Sequence, residues 1–316
     1  MLLFGIETSC DETAAAVVED GRRTLSNVVA SQVDLHRVYR GVVPEIASRA
    51  HSSALLPVID EALALSGKKI TDMDAVAVTA SPGLIGSLLV GLSAARTIGL
   101  VRKIPVVEIN HLEAHVFSCS LDKDPIEYPL IGLVVSGGHT DIYLSSSETS
   151  YVRLGHTIDD AAGEAFDKVA SMLDLPYPGG PSIEEAARNG NPDAVKFPRS
   201  YLEKGSLNFS FSGVKTAVLY HCRGLPEVNV PDVAASFQKA VVGVIVDKTI
   251  AAAEKNNVKT IAVGGGVACN MTLRETFMEQ TRPLNIDVRF PSPKDCTDNA
   301  AMVAGLGYYK LCRNHM

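Results

Sequence analysis

The sequence predicts an α/β protein with mixed sheets, built from one plan used twice. Three observations predict it. Apolar strand-like runs come in the order strand, turn, strand, strand, followed by alternating helix and strand. That order then recurs in the second half of the chain. The 316 residues are enough for two domains of ordinary size, and 46% of them are apolar, enough for two cores.

The first copy opens with a strand over Leu2–Ile6. A polar turn follows, Glu7-Thr8-Ser9-Cys10-Asp11-Glu12-Thr13, and then a returning strand over Ala14–Glu19. Asp20-Gly21 turns the chain into a third strand, Thr24–Ser31. A helix is expected from about Pro44 to Ser66, a strand over Ala75–Thr79, and a glycine-rich helix start at Ser81-Pro82-Gly83. The second copy opens with Leu130–Val135, the turn Ser136-Gly137-Gly138-His139-Thr140, and a returning strand Asp141–Ser145. A third strand, Ser150–Thr157, leads into a helix over Ala161–Leu173. A long helix over Val233–Lys255, a strand over Thr260–Val263 and a helix start at Gly264-Gly265-Gly266 complete it. The repeat lies in element order and not in residue identity. The stretch Pro176–Gly205, rich in Pro, Gly and Asn, reads as the one long irregular segment and a candidate active-site wall.

Charge and cysteine usage narrow the classes. A net charge of −7 means that the whole molecule is no electrostatic magnet for nucleic acid, so such contact needs a local basic patch or a partner. Cys10, Cys119, Cys222, Cys269, Cys296 and Cys312 are scattered without a C-x-x-C, which suits reduced thiols in a cytoplasmic protein. The opening run reads as a strand and not as a signal or transit peptide. The apolar run from Leu84 to Leu100 is broken by glycines, serines and Arg96; it is expected to be a buried helix and not a membrane span.

Candidate chemistry begins at His111 and His115, where the apolar run Val106–Ile109 meets a helix-like segment. Residues four apart share a helix face, so both imidazoles can address one point, and neutral imidazole is a common metal ligand. The alternative is two unrelated helix histidines, one capping and one packing. A zincin needs the glutamate directly after the first histidine. Here it is Glu113, two positions on, which faces away from both.

Three glycine-rich turns can present backbone N–H groups to an anion: Ser136–Thr140, Gly264–Asn270 and Ser81–Gly86. Each can equally be a tight turn that requires glycine. No G-x-x-x-x-G-K-[ST] is present, so a P-loop is excluded. Gly264-x-Gly266-x-x-Cys269 with Asp287 approximates a dinucleotide fingerprint but lacks its third glycine. Asp160, Glu164 and Asp167 fall on one helical face, opposite an apolar face of Ala161, Ala162, Ala165, Phe166 and Val169. The acids then face water, or a cleft where a carboxylate suits ribose hydroxyls.

Segments spread along nearly the whole chain resemble the bacterial TsaD family of tRNA threonylcarbamoyladenosine transferases. They are Gly5–Thr13, Val42–Arg49, Asn110–His115, Val135–Thr140, Gly163–Val169, Pro178–Pro181, Phe209–Thr216, Gly264–Asn270 and Thr297–Ala300, in family order. Arg40 stands where the family usually has glycine, which bears on local loop shape.

The resemblance implies an actin-like ATPase (sugar kinase/Hsp70/actin, ASKHA) fold: two duplicated RNase H-like lobes with an interlobe cleft. Residues 1–108 plus 295–316 would form the N-terminal lobe and 109–294 the C-terminal lobe. It implies one divalent metal per chain, Fe2+ or Zn2+, held by His111, His115 and Asp298; spacing alone does not find Asp298. The implied substrate is threonylcarbamoyl-AMP, in a pocket that would also accept ATP or ADP. Val134, Val135, Ser136, Gly137 and Gly138 would hold its phosphate and carbamoyl region. Asp167 would bind ribose, and Gly180, Glu184 and Asn270 would line the adenosine pocket.

The implied reaction is transfer to N6 of the adenosine 3′ to the anticodon, in tRNAs reading codons that begin with A, forming t6A. Asp11 or Glu12 would accept the amine's proton; a turn carboxylate can instead be a local hydrogen bonder. Implied partners are tRNA, a paralogous TsaB-like subunit, a TsaE-like small ATPase, and an upstream synthase that supplies the adenylate, with no membrane. An actin-like ATPase or kinase, a metallopeptidase and a non-catalytic nucleotide-binding scaffold are the competing classes.

Overall fold

A computed structural model describes residues 1–313. The chain runs β1 (Leu2–Glu7), β2 (Glu12–Glu19), β3 (Arg23–Ser31), α1 (Val33–Arg37), α2 (Pro44–Ser66), β4 (Ala75–Ser81), α3 (Ile85–Arg102), β5 (Val106–Asn110) and α4 (His111–Phe117). It continues through β6 (Leu130–Val135), β7 (Thr140–Ser147), β8 (Ser150–His156), α5 (Ala162–Met172), α6 (Gly179–Ala187), α7 (Ser212–Arg223), α8 (Val230–Lys255), β9 (Thr260–Gly264), α9 (Met271–Thr281) and β10 (Asp287–Arg289), and ends on α10 (Ala300–Arg313).

Two five-stranded sheets carry the same topology, β3-β2-β1-β4-β5 and β8-β7-β6-β9-β10. In the first, β1 pairs antiparallel with β2 and parallel with β4. In the second, β6 pairs antiparallel with β7 and parallel with β9. The plan read twice from the sequence is thus repeated strand for strand.

Contacts divide the chain into two compact units. Residues 1–126, 147–150 and the described residues from 291 on form one; 127–146 and 151–290 form the other. The expected lobe boundary at 108/109 differs from this division. β5 hydrogen-bonds to β4, and α4 packs on α10, so this stretch stays with the first unit. The return also comes slightly earlier, at residue 291 and not 295.

The first unit has a core on each face of its sheet, as the strand period of two dictates. Leu3, Ala14, Ala16, Val18, Ala75 and Ala77 point to α4 and α10, where Phe117, Met302 and Leu306 meet them. Phe4, Ile6, Ala15, Val17, Val76 and Val78 point the other way, to Leu55, Val58, Ile59 and Ala62 of α2 and Ala95 of α3. This two-sided burial is why these strands read as unbroken apolar runs.

Two expectations need correction, and a discounted alternative is tested. The run expected as a buried helix is α3, but Ile85, Leu89, Leu100 and Val101 are 79, 56, 81 and 72% exposed. Its buried residues are Leu88 and the small Ser87, Gly91, Ala95 and Gly99, whose size allows close approach to the sheet. By length and composition α3 is long and apolar enough to cross a membrane, yet this inner face packs on β4 and α2. The irregular stretch 176–205 contains a helix, α6, entered through Pro178. The dinucleotide alternative also fails locally: Asp287 lies at the start of β10 and pairs with Arg289 at 2.6 Å, away from the strand end where a ribose contact belongs.

Candidate metal centre and nucleotide-binding turns

The metal candidates are brought together by two capped helix starts in the first unit. Asn110 ends β5, and its side chain accepts from the N–H groups of Leu112 and Glu113 at 2.9 and 3.2 Å, which starts α4 at His111. One turn later comes His115, and the two rings stand edge to face with centroids 4.6 Å apart. Asn299 caps α10 by accepting from Met302 N, and its Nδ2 donates to the Asp295 and Thr297 carbonyls. That turn delivers Asp298. Its Oδ1 lies 3.0 Å from His115 Nε2 and 3.5 Å from His111 Nε2.

One ligand atom from each of His111, His115 and Asp298 falls within 4.8 Å of the others. Ligands bound tetrahedrally at ~2.1 Å stand roughly 3.4 Å apart, so small adjustments would let one ion fit. The two histidines are buried and the aspartate half-buried. Glu113 pairs with Lys310 at 2.7 Å, so the structure, like the spacing, provides no zincin base.

The electrostatics of the cluster are those of a site with excess acid. Burial opposes a charge on His111, but Asp298 and Glu7 outweigh it and the imidazole is pushed up to about 9. His115 moves down, through burial and the neighbouring His111. Glu12, at the start of β2, is raised well above the carboxylate range by burial, then by Asp298 and Asp11. Glu12 therefore stands in the electrostatic reach of Asp298. Ser31 Oγ donates to Glu12 Oε1 at 3.3 Å. Cys10, beside them, is raised chiefly by burial.

In the second unit, Val134 and Val135 are buried on β6 and lead into the Ser136–His139 turn. Ser136 N donates to the His139 carbonyl at 2.9 Å, and His139 N donates to Ser136 Oγ at 3.2 Å. Gly137 and Gly138 have open space where a Cβ would lie. The turn is buttressed from behind. A Cβ on Gly163 would meet the Ser136 carbonyl at 2.6 Å, and Gly265, at φ +97°, presses against the Val135 carbonyl. Two of the three glycine turns thus converge, since β9 lies beside β6 and brings Gly265 to Val135. The third, at Ser81–Gly86, belongs to the first unit.

The adenosine candidates are also neighbours, but most have local duties. Asp167 Oδ1 accepts from Gly179 N at 2.6 Å, at the positive end of α6. Glu184 Oε1, one turn along α6 from Gly180, accepts from Met271 N at 2.6 Å. Asn270 is buried. It caps α9 by accepting from Leu273 N and donates to Gln238 Oε1 at 2.8 Å. Gly180 has no neighbour at its Cβ position. Asp167, Gly180, Glu184 and Asn270 are thereby gathered where α5, α6 and α9 meet.

The expected acidic face on α5 needs correction. Asp160 precedes the helix and is held by Lys168 and Lys215, while Glu164 also pairs with Lys168. These cations outweigh burial and hold Asp160 below the usual carboxylate range. Of the three acids, Asp167 alone turns to α6. Sequence reasoning missed Glu7, Ser9 and Thr79 around His111, Asn110 and Asn299 as caps, and Gln238 behind Asn270. A glutamate ending an otherwise apolar strand was the available signal for Glu7.

The repeated sheet topology is that of the actin-like ATPases, and solved structures agree. HypF from T. kodakarensis superposes with TM-score 0.67 at 15% identity, over 98% of this chain and 48% of that one. Component A of the (R)-2-hydroxyglutaryl-CoA dehydratase of Acidaminococcus fermentans superposes with TM-score 0.59 at 14% identity, over 99% of both chains. At such identities the likeness is one of fold. Sequence comparison is more specific: residues 23–305 match the family model described as "TsaD: tRNA N6-adenosine threonylcarbamoyltransferase". The Symbiobacterium thermophilum protein of that description is 53% identical over 311 residues, covering 98% of this chain and 91% of that protein. The Pelobacter propionicus one is 52% identical, covering 100% and 94%. The chain belongs to the TsaD family.

Proposed function

We propose that this chain transfers the threonylcarbamoyl group from threonylcarbamoyl-AMP to N6 of the adenosine 3′ to the anticodon, forming t6A, with AMP as the leaving group. The observation that carries the reading is the cluster of His111, His115 and Asp298 in a chain that belongs to the family. These three residues would hold a divalent ion, Fe2+ or Zn2+, which would supply Lewis acidity to a carbonyl oxygen of the substrate. Three protein ligands leave open positions, as a site for substrate requires.

In the first unit, Asp11 or Glu12 accepts the proton of the attacking amine. The position of Glu12 at the start of β2, near Asp298, supports that assignment. An adenine amine is a weak nucleophile, so most of the acceleration must come from positioning and activation of the electrophile. In the second unit, the open space beside Gly137 and Gly138 lets an anion approach the backbone of this turn, which suits the phosphate and carbamoyl oxygens. The Asp167 carboxylate suits a ribose hydroxyl, and Gly180 leaves room for the adenosine.

With its net charge of −7, the chain needs help to hold tRNA. The paralogous TsaB-like subunit expected from the resemblance is assigned to the outward face of α3, where Ile85, Leu89, Leu100 and Val101 are exposed around the polar Ser93, Arg96 and Thr97. A TsaE-like ATPase and an adylate-supplying synthase complete the proposed assembly. The test is reconstitution with threonylcarbamoyl-AMP, unmodified tRNA and these partners, followed by nucleoside mass spectrometry. Wild type should yield t6A and His115→Ala should not. Absence of t6A with metal-loaded wild type would reject the reading.

A further inference from the structure

Glu7 is the last residue of β1 and fully buried. A carboxylate there is costly unless its oxygens are bonded. Ser9 N donates to Oε1 at 2.6 Å, and Thr79 Oγ1 donates to Oε2 at 2.6 Å. Thr79 is available because β4 runs parallel to β1, with Val78 in register with Ile6. The third partner is His111, whose Nδ1 lies 3.0 Å from Oε2.

An ionised carboxylate only accepts, so the proton in this contact belongs to His111 Nδ1. When His111 gives up a proton to bind an ion, Nδ1 keeps the one shared with Glu7, so Nε2, the atom facing Asp298 at 3.5 Å, is the nitrogen that frees its lone pair. We propose that Glu7 is a positioning residue for the metal: its buried carboxylate locks the His111 ring so that Nε2 is the ligand atom. The proposal rests on the metal reading above. Metal-bound histidines commonly donate their second ring N–H to such a carboxylate.

Two features sharpen it. Ser9 Oγ also lies 3.2 Å from His111 Nδ1, but a hydroxyl both donates and accepts and so does not select a ring proton position. His115 has no equivalent support: its Nδ1 is buried without a hydrogen-bond partner among the described residues. The cluster is thus asymmetric, with one histidine locked from behind and the other held through Asp298.

The test uses the full chain and Zn2+, measured by competition with a chromophoric chelator. Glu7→Gln keeps the shape, but its amide can donate to Nδ1 and shift the ring proton to Nε2, where it blocks ligation. Zinc affinity should fall by roughly tenfold to a hundredfold. Ser9→Ala should leave affinity close to wild type. Thr79→Val, which removes a bond to Glu7 without touching His111, should lower the melting temperature and leave affinity little changed. In zinc-loaded wild type labelled with 15N-histidine, His111 should carry its proton on Nδ1. Glu7→Gln binding zinc as tightly as wild type, or zinc found on Nδ1, would overturn the proposal while leaving the metal site standing. Wild type that binds no stoichiometric zinc would overturn both.

Discussion

Asp167 is assigned two tasks, and they can be pulled apart. Its Oδ1 accepts from Gly179 N at 2.6 Å, so it acts as a distant cap on α6, and the proposed function also gives it a ribose hydroxyl. Asp167→Ala removes both. A lost N-terminal cap costs about 0.5–2 kcal/mol, and the lost charge at the helix's positive end about 0.3–1 more. For a unit of this size each kcal/mol lowers the melting temperature by about 2–4 °C, so the transition should move down by several degrees. A charge-assisted hydrogen bond to ribose contributes about 1.5–3 kcal/mol, so adenylate or ADP should bind about tenfold to a hundredfold more weakly. Asp167→Asn retains a neutral acceptor. It should recover most of the stability and only part of the affinity. The chain has no tryptophan, so melting is followed by circular dichroism and binding by calorimetry. Nucleotide affinity unchanged in Asp167→Ala would refute the ribose role. Unchanged melting would refute the cap.

Other outcomes follow from the same geometry. Because His111 is raised to about 9, metal binding must expel its proton. Zinc affinity should therefore climb about tenfold per pH unit towards pH 9 and then level off. In the metal-free chain, the stability that protonated His111 contributes is complete below its unfolded value of about 6.5 and disappears as pH rises through about 9. A chelator competition that is flat across this range would contradict the electrostatic account. Arg40 adopts φ +55°, a left-handed conformation that disfavours a side chain, and glycine there should relieve it. After glycine's larger unfolded-state entropy is subtracted, Arg40→Gly should gain roughly 0.5–1 kcal/mol in denaturant melts. A loss of stability would show that the arginine side chain outweighs the strain. Leu89→Arg should leave folding intact, since Leu89 is 56% exposed, and abolish co-elution with the TsaB-like subunit. Persistent co-elution would move the interface elsewhere.

Much of the fold was legible because strand period and turn chemistry are local. The hairpin at Ser136–Thr140 and the helix Pro44–Ser66 follow from glycine, proline and apolar spacing alone. The His111 and His115 pair was legible for the same reason, since helical spacing sets it. Asp298 was not. It lies far along the chain, and only the packing of α10 against β1 and α4 returns it to the histidines. Glu7 was hidden inside a turn that read as polar throughout, although its carboxylate points into the core. The α5 acids misled for a related reason. Spacing put Asp160 and Glu164 on an open face, but Lys215 arrives from a helix far along the sequence to neutralise Asp160. The outward side of α3 was misread because mean apolarity does not say which side faces the sheet.

That helix has a mechanical consequence. Its inner side is locked against the turn after β1: Thr8 Oγ1 donates to the Ser87 carbonyl at 2.9 Å, and Leu84 N donates to the Ser9 carbonyl at 2.8 Å. A Cβ at Gly91 would already overlap Thr8 Oγ1 at 2.5 Å. The helix can neither roll nor slide without displacing residues that flank Glu7. Leu89 and Leu100 are therefore presented on a stiff rail whose spacing is set before anything binds. A surface that docks on them loses little conformational freedom in ordering its target, so modest apolar area can give a durable contact.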